Sequence, residues 1–311
     1  MNRPIVTLGI LSLALALAAV ADERIANGTP TPAGAYPFFA TVTEQDGAHI
    51  CGGALVAPQW VLTAAHCIRN QAPYQVQIGI EQYRPTLISL DEIKIAEVFI
   101  PSDYKGWMPY SSQLKDVQSN GQYDIALLKL ERPSQSKHLL TLHDGKDREP
   151  VGAAVVLAGF GQTETGDRPD HLLYATGNTL EDKKCIDVPD GYPHTHYDPA
   201  LNVCADDLGR GGDSGGPLLI VQDEGYVGIG LVSRRLVNAG QYTRIGFYKD
   251  WLEKIVNNYT CDKPVLLSNG LPVCADLSVH PAPAAPLSAN ALAKEVLKAT
   301  NKYRMAGPLR E

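Results

Sequence analysis

The region from residue 25 to residue 256 is built from many short apolar runs, and this pattern constrains the fold more than any other feature. The runs contain mostly valine, isoleucine, leucine and tyrosine, and turns rich in glycine, proline, asparagine and aspartate separate them. Examples are Gly53–Val56, Gln59–Leu62, Tyr74–Ile80, Ile125–Leu130, Ala153–Ala158, Pro217–Val221 and Val227–Ser233. Many short strands with regular turns are typical of barrels and sandwiches. We therefore predict an all-β fold.

One segment near the end of this region follows a helical pattern instead. Between Tyr248 and Val256, the apolar residues Trp251, Leu252 and Ile255 recur with the spacing of one helix face. A short helix is thus predicted to close the β domain, which we expect to end at residue 257.

The first 21 residues have the character of a secretory signal peptide. Arg3 supplies a positive charge, Ile5–Val20 is almost entirely apolar, and Ala19-Val20-Ala21 matches a cleavage signal. The alternative is a membrane anchor, but the apolar run is short for the ~30 Å hydrocarbon core of a bilayer. The prediction is a signal peptide over residues 1–21 and a secreted protein, extracellular or periplasmic.

The composition changes again towards the C-terminus, and residues 258–311 are predicted to form an extension. Cys261 and Cys274 could close a small disulfide loop. The segment His280–Pro286 is rich in proline and alanine, which is typical of an extended linker. Residues 288–305 have the apolar spacing of a helix. That helix either packs on the surface or binds a partner.

The cysteine content indicates disulfide bonds, because exported chains with an even number of cysteines commonly oxidise them in pairs. The six cysteines are Cys51, Cys67, Cys185, Cys204, Cys261 and Cys274. The chain has no CxxC pair, which argues against a zinc site. Pairing of sequence neighbours is the simplest scheme, although six cysteines allow other connectivities.

Three short segments carry the residues best suited to chemistry. They are Leu-Thr-Ala-Ala-His-Cys at 62–67, Tyr-Asp-Ile-Ala-Leu-Leu at 123–128 and Gly-Asp-Ser-Gly-Gly-Pro at 212–217. Each alone has an ordinary structural explanation: an exposed histidine, a turn aspartate or a glycine-rich loop. Their joint occurrence in this order points to nucleophilic catalysis, because a neutral serine hydroxyl needs a base whose pKa is near the working pH.

These segments resemble the chymotrypsin/trypsin family of serine peptidases over residues 25–257. The resemblance implies two six-stranded antiparallel barrels with the active site between them, followed by the C-terminal helix. It also implies a serine endopeptidase that hydrolyses peptide bonds through an acyl-enzyme. The pairs Cys51–Cys67 and Cys185–Cys204 fall at positions where the family has bridges.

The resemblance assigns a role to each chemical group. Ser214 would be the nucleophile, His66 its general base and then its general acid, and Asp124 the buried partner that fixes the tautomer of His66. The N–H groups of Gly212 and Ser214 would form the oxyanion hole.

An activation step is implied as well. The bond between Arg24 and Ile25 resembles the family's zymogen cleavage site, which leaves residues 22–24 as a short propeptide. The new amino group of Ile25 would pair with Asp213 and order the oxyanion hole, because a buried carboxylate without a partner is costly. The alternative is that signal peptidase cuts elsewhere and no zymogen exists.

The chain departs from the family pattern beside the nucleophile. Family members usually have a disulfide that joins the loop before the catalytic serine to the loop after the Ser-Trp-Gly strand. Here Arg210 stands near the first position and no cysteine follows Ser233 until Cys261. Both halves of the bridge are therefore missing together.

The primary specificity pocket is expected to involve residues from both of these loops. Leu208 stands six residues before the nucleophile, where enzymes specific for basic residues have aspartate. The neighbouring Asp206 or Asp207 could take its place and select Arg or Lys, the P1 preference we favour from family frequency. The other predicted substrate-binding residues are Ser233, Arg234, Arg235 and Gly240. The two arginines would favour acidic substrates if they face the pocket, and Leu208 would favour apolar ones.

The expected partners are a polypeptide substrate and protein inhibitors, with no nucleic acid, no membrane span and a monomeric state. The 311-residue chain has a net charge of −7 and no basic run, which disfavours nucleic-acid binding. No cofactor and no metal are expected, since Glu81 and Glu92 have an unconvincing spacing for calcium. The competing function is a catalytically dead homologue that acts as a binding protein.

Overall fold

The computed structural model describes residues 28–68, 73–83, 89–105, 122–163, 165–186, 197–222 and 225–279. The predicted signal peptide, Arg24, Ile25 and the predicted helix at 288–305 lie outside these residues. Within the described ranges, no helix is both long and apolar enough to span a bilayer.

The described residues are mostly β-strand. The strands are β1 (Thr29–Pro30), β2 (Phe39–Thr43), β3 (His49–Ala57), β4 (Trp60–Thr63), β5 (Gln75–Ile78), β6 (Asp91–Phe99), β7 (Ala126–Leu130), β8 (Thr141–Leu142), β9 (Ala154–Gly159), β10 (Leu173–Asn178), β11 (Asn202–Ala205), β12 (Pro217–Gln222), β13 (Gly225–Arg235), β14 (Gly240–Arg244), β15 (Val265–Leu266) and β16 (Pro272–Cys274). The α-helices are α1 (Lys183–Ile186) and α2 (Lys249–Val256), and the 3₁₀ turns are Ala65–Cys67 and Ile245–Tyr248.

The N-terminal strands form a closed barrel. Strands β6, β5, β2, β3, β4 and β7 pair in that order, and β7 pairs back to β6. Every residue of β2 and β3 is buried, because both strands pass between the barrel interior and the second sheet. The predicted six-stranded barrel is thus confirmed for this half of the chain.

The second half forms a sheet whose order is β1-β10-β9-β12-β13-β14-β11, with β8 beside β13. Strand β11, at one end of this path, approaches the end of β10, which is next to the other end, through an isolated bridge between Thr179 and Ala205. The structure therefore has one closed barrel and a second curved sheet, where the sequence analysis expected two closed barrels. The predicted C-terminal helix is present as α2.

The two halves meet through an apolar cluster that positions the site. Phe39 and Ala54 of the barrel pack with Val156, Ala158 and Leu219 of the second sheet. Because these residues are buried at the junction, the loops that leave β4, precede β7 and precede β12 come to the same region between the sheets.

Three disulfides pair the cysteines as sequence neighbours. They are Cys51–Cys67, Cys185–Cys204 and Cys261–Cys274. The first joins β3 to the turn that contains His66, and therefore fixes that turn against the barrel.

The first part of the C-terminal extension belongs to the barrel. Strand β16 pairs in parallel with β6, with Val273 opposite Val98. Leu271 and Val273 are buried in the barrel core, and the indole N–H of Trp251 in α2 donates to the carbonyl of Leu277. The compositional change after residue 257 therefore does not mark the end of the packed structure.

Candidate active site

His66 and Asp124 come together because neighbouring strands place them at one edge of the barrel. His66 follows β4 in a 3₁₀ turn, and Asp124 precedes β7 by two residues. Strands β4 and β7 are antiparallel neighbours, with Thr63 opposite Ala126. The end of the first strand and the start of the second therefore meet.

The two side chains form a doubly anchored pair. The backbone N–H of His66 donates to Oδ1 of Asp124 at 2.8 Å, and its Nδ1 lies 2.8 Å from Oδ2. A carboxylate is an acceptor, so Nδ1 carries the proton and Nε2 presents a lone pair. This is the tautomer that a general base for a hydroxyl requires.

Asp124 is buried and yet remains an acid of low pKa. Burial alone would raise its pKa, but the electrostatic interaction with His66 and hydrogen bonds from His66 and Ser233 lower it below the ordinary value. The Ser233 hydroxyl donates to Oδ2 at 2.5 Å, and Thr243 donates its hydroxyl to the Asp124 carbonyl at 2.8 Å. Ser233, a predicted pocket residue, thus contacts the carboxylate with its side chain, and Thr243 was missed by the sequence analysis.

Ser214 is held between the two sheets by its backbone. Its carbonyl accepts a 2.8 Å hydrogen bond from the N–H of Gly52 in β3, while Gly215 donates to the carbonyl of Val232. A side chain at Gly52 would put its Cβ 3.0 Å from the Cα of Gly216, so only glycine permits this approach. No hydrogen bond joins Ser214 Oγ to His66 within the described residues; such bonds often form only in the substrate complex.

The backbone before Ser214 has a conformation that glycine adopts readily. Gly212 has a φ of +106°, a conformation that side chains disfavour. Within the described ranges, the N–H groups of Gly212 and Ser214 have no protein acceptor. They are therefore free to donate to a bound group.

His49 supports this segment and was not anticipated from the sequence. Its Nε2 lies 2.8 Å from the carbonyl oxygen of Gly212, so Nε2 carries the proton. Burial lowers the pKa of His49 to about 4, which keeps the ring neutral at pH 7. A histidine two residues before Cys51 was the only signal, and it is uninformative without the tertiary contact.

Asp213 is completely buried beside Gly212 and forms no ion pair within the described residues, although the charges of Arg210 and Arg168 lower its pKa. Its Oδ1 accepts the N–H of Gly161 at 2.7 Å and its Oδ2 the N–H of Arg210 at 2.8 Å. Burial raises the pKa of Asp213 to about 6. Among the described residues, the carboxylate is therefore held by backbone hydrogen bonds and has no direct counter-charge.

Leu208 belongs to the core of the second sheet. It is buried in one cluster with Val232 and Tyr242. The Tyr242 hydroxyl, another contact that the sequence did not indicate, donates to the carbonyl of Asp206 at 2.9 Å. A Cβ at Gly240 would lie 2.6 Å from this tyrosine ring, which explains the glycine there.

The two candidate pocket acids are both engaged. Asp206 accepts the N–H of Asn178 at 2.8 Å. Asp207 forms ion pairs with Arg210 at 3.2 Å and with Arg235 at 2.8 Å. Arg234 lies beside Arg235 at the end of β13 and is half-buried. The Arg235 side chain therefore points towards Asp207.

The clusters of metal-ligand atoms do not form a metal site. Within the described residues there are two: Cys51, His66 and Cys67, and Cys261, Cys274 and Asp276. Each includes a disulfide, so the thiolates that a metal would bind are absent.

A closed barrel, a second sheet, a His–Asp pair and a Gly-Asp-Ser-Gly loop are together features of the chymotrypsin-fold class of proteins. The sequence model of the trypsin family matches residues 25–252. The chain therefore belongs to the trypsin family.

Solved structures agree on the fold. Human heparin binding protein is 24% identical, with 76% of this chain and 98% of that chain covered and a TM-score of 0.57. A structure titled as an atomic-resolution structure of HBP is 23% identical, with the same coverage and a TM-score of 0.58. At these identities the likeness concerns the fold alone.

Proposed function

We propose that the chain is a secreted serine endopeptidase that uses Ser214, His66 and Asp124, and that it is made as a zymogen cleaved after Arg24. The observation that carries the proposal is the buried Asp124 carboxylate, which holds Nδ1 of His66 and leaves Nε2 free to accept a proton. Membership of the trypsin family supports the same chemistry.

The reaction follows from these groups. Ser214 Oγ attacks the peptide carbonyl carbon while Nε2 of His66 takes its proton. The N–H groups of Gly212 and Ser214 stabilise the oxyanion; loss of one such donor typically costs ~3 kcal/mol of transition-state stabilisation. His66 then protonates the leaving amine and an acyl-enzyme remains on Ser214. Water, deprotonated by His66, attacks the ester and releases the acid product.

The activation step is proposed from the state of Asp213. Its buried carboxylate is held by two backbone N–H groups, and an ammonium group from Ile25 would supply the missing positive charge. That ion pair would hold the adjacent Gly212 in its oxyanion-binding conformation. The family's preference for Arg or Lys at P1 stays a prediction, and the ion pairs of Asp207 give it no support.

Active-site labelling tests the enzymatic proposal. A fluorophosphonate should label the protein that begins at Ile25, and Ser214→Ala should abolish labelling, while Ser136→Ala, on the loop between β7 and β8, should retain it. Absence of labelling in the processed protein would favour a binding protein without catalytic activity.

N-terminal sequencing tests the zymogen. Active secreted protein should begin at Ile25, the Arg24→Gln variant should stay uncut and inactive, and Arg24→Lys should still be activated by a trypsin-like peptidase. Active protein that begins at another residue contradicts the zymogen proposal and leaves the catalytic one standing.

A further inference from the structure

A three-residue ion cluster lies across the two walls beside the nucleophile. Asp207 belongs to the loop between β11 and β12, and Arg235 ends β13. The guanidinium of Arg235 contacts the carboxylate of Asp207 through Nε at 3.0 and 3.1 Å and Nη2 at 2.8 Å. Two donors on one carboxylate make this a fork-shaped pair, the stronger geometry for such contacts.

The second arginine connects the cluster to the catalytic loop. Arg210 donates from Nη1 to the Asp207 carboxylate at 3.2 Å and to the carbonyl of Gly209 at 2.9 Å. The backbone N–H of the same Arg210 donates to Asp213 at 2.8 Å. Asp213 precedes Ser214, so contacts run from β13 through Asp207 and Arg210 to the nucleophile.

The cluster is only partly exposed. The side chains of Asp207 and Arg210 are 17% and 24% exposed, against 56% for Arg235. Partial burial weakens the screening that makes most surface ion pairs ineffective. The loop itself contains no cysteine, and Cys204 in the preceding strand β11 is bonded to Cys185, so no disulfide joins the loop to β13.

We propose that Asp207 is a positioning residue: its ion pairs with Arg210 and Arg235 hold the loop that carries Gly212 and Ser214 against the end of β13. The loop's order, and with it the rate of peptide hydrolysis, then depends on ionic strength. The proposal rests on the proposed peptidase function for its effect on rate, but not for its effect on the loop. It also means that the Asp207 carboxylate serves the loop and does not recognise a basic substrate side chain.

Hydrogen–deuterium exchange tests the loop directly, whether or not the protein is active. Amides of residues 206–216 should exchange about fivefold faster in Asp207→Asn than in the wild type. Asp207→Glu should be close to the wild type. Asp182→Asn, which removes a comparable ion pair with Arg148, is the matched control and should leave this segment unchanged.

The same exchange experiment is repeated at high salt and with a second variant. Raising NaCl from about 0.05 to 1 M should accelerate exchange in the wild type and have little effect in Asp207→Asn, because the salt screens only pairs that exist. If Asp207→Asn folds poorly, Arg235→Gln replaces it and should show the same faster exchange. Equal exchange in the wild type and in a folded variant overturns the proposal.

Kinetics separate positioning from recognition. On peptides with Arg, Leu or Glu at P1, Asp207→Asn should lower kcat by about the same factor, ~5-fold, with KM little changed. A loss confined to Arg and Lys substrates, with a raised KM, would identify Asp207 as a recognition residue and overturn the proposal. Failure of the wild type to cleave any peptide would contradict the proposed function, while the exchange result still decides the role of Asp207.

Discussion

The Ser233 hydroxyl donates a hydrogen bond to the Oδ2 atom of Asp124, the oxygen that also faces Nδ1 of His66. The two residues are 109 positions apart in the sequence. Through this contact the end of β13, from the second sheet, fixes the carboxylate that lies at the start of β7 in the barrel. The catalytic carboxylate therefore depends on how the two sheets are packed together.

Removing this contact should weaken catalysis without unfolding the protein. Ser233→Ala is expected to lower kcat/KM about tenfold, because a hydrogen bond to a charged group typically contributes ~1.5–3 kcal/mol. The measurement is steady-state hydrolysis of a peptide that the wild type cleaves, with Ser136→Ala as the unaffected control. An unchanged kcat/KM in Ser233→Ala would show that His66 alone orients Asp124.

Asp213 should make the uncleaved chain less stable as the pH rises. Burial raises its pKa from 3.8 to about 6, so the unfolded state ionises first. The free-energy cost of keeping this ionised carboxylate buried is absent below pH 3.8, grows between pH 3.8 and 6, and is complete above that range. The shift in pKa corresponds to a loss of ~3 kcal/mol in the free energy of unfolding.

Urea denaturation of the uncleaved Arg24→Gln protein between pH 4 and 7 checks this expectation. The free energy of unfolding should fall with pH more steeply than in Arg24→Gln/Asp213→Asn, by ~3 kcal/mol over the range. Parallel curves for the two proteins would mean that Asp213 already has a counter-charge before cleavage.

A buried ion pair between Arg244 and Glu149 should matter more to stability than the exposed pairs. Their side chains are 10% and 2% exposed, and Arg244 also donates to the carbonyl of Asn202. Burial lowers the pKa of Arg244 to about 10, but the guanidinium stays charged at neutral pH. Glu149→Gln would leave that charge buried and unpaired, at a cost of ~3–5 kcal/mol in the free energy of unfolding.

Chemical denaturation of three proteins tests the contrast. Glu149→Gln should lose several kcal/mol, whereas Asp182→Asn, which breaks the exposed pair with Arg148, should lose less than ~1 kcal/mol. Similar losses in the two variants would refute the special role of the buried pair.

The C-terminal extension should be needed for stability as far as β16. A chain that ends at Asn257 loses Leu271 and Val273 from the barrel core, and burial of one such side chain contributes ~1.5–3 kcal/mol. A chain that ends at Val279 keeps these contacts.

Thermal unfolding of the two truncated chains and the full chain distinguishes the cases. The protein that ends at Val279 should have a Tm close to that of the full chain, and the shorter one a Tm lower by at least several degrees. Equal Tm values for all three would place the domain boundary at residue 257, where the change of composition predicts it.

Sequence patterns predicted those parts of the fold that local composition controls. The apolar runs near β3, β7, β9 and β12 were located because strands that cross a packed core need continuous apolar residues. Strand β6 is not among the apolar runs quoted as examples, since charged residues interrupt it: its sequence is DEIKIAEVF and its burial alternates at the start. Helix α2 was predicted from its apolar face.

The sequence by itself determined which chemical groups are present: a histidine, an aspartate and a serine in three recognisable segments, and six cysteines whose simplest pairing joins sequence neighbours. Only the tertiary structure decided what surrounds these groups. The hydrogen bonds of Ser233 to Asp124 and of His49 to Gly212, and the ion pair of Asp207 with Arg235, each join a strand to a loop that is distant in the sequence. Such contacts depend on distance and orientation in the folded chain, and local composition has no information about either.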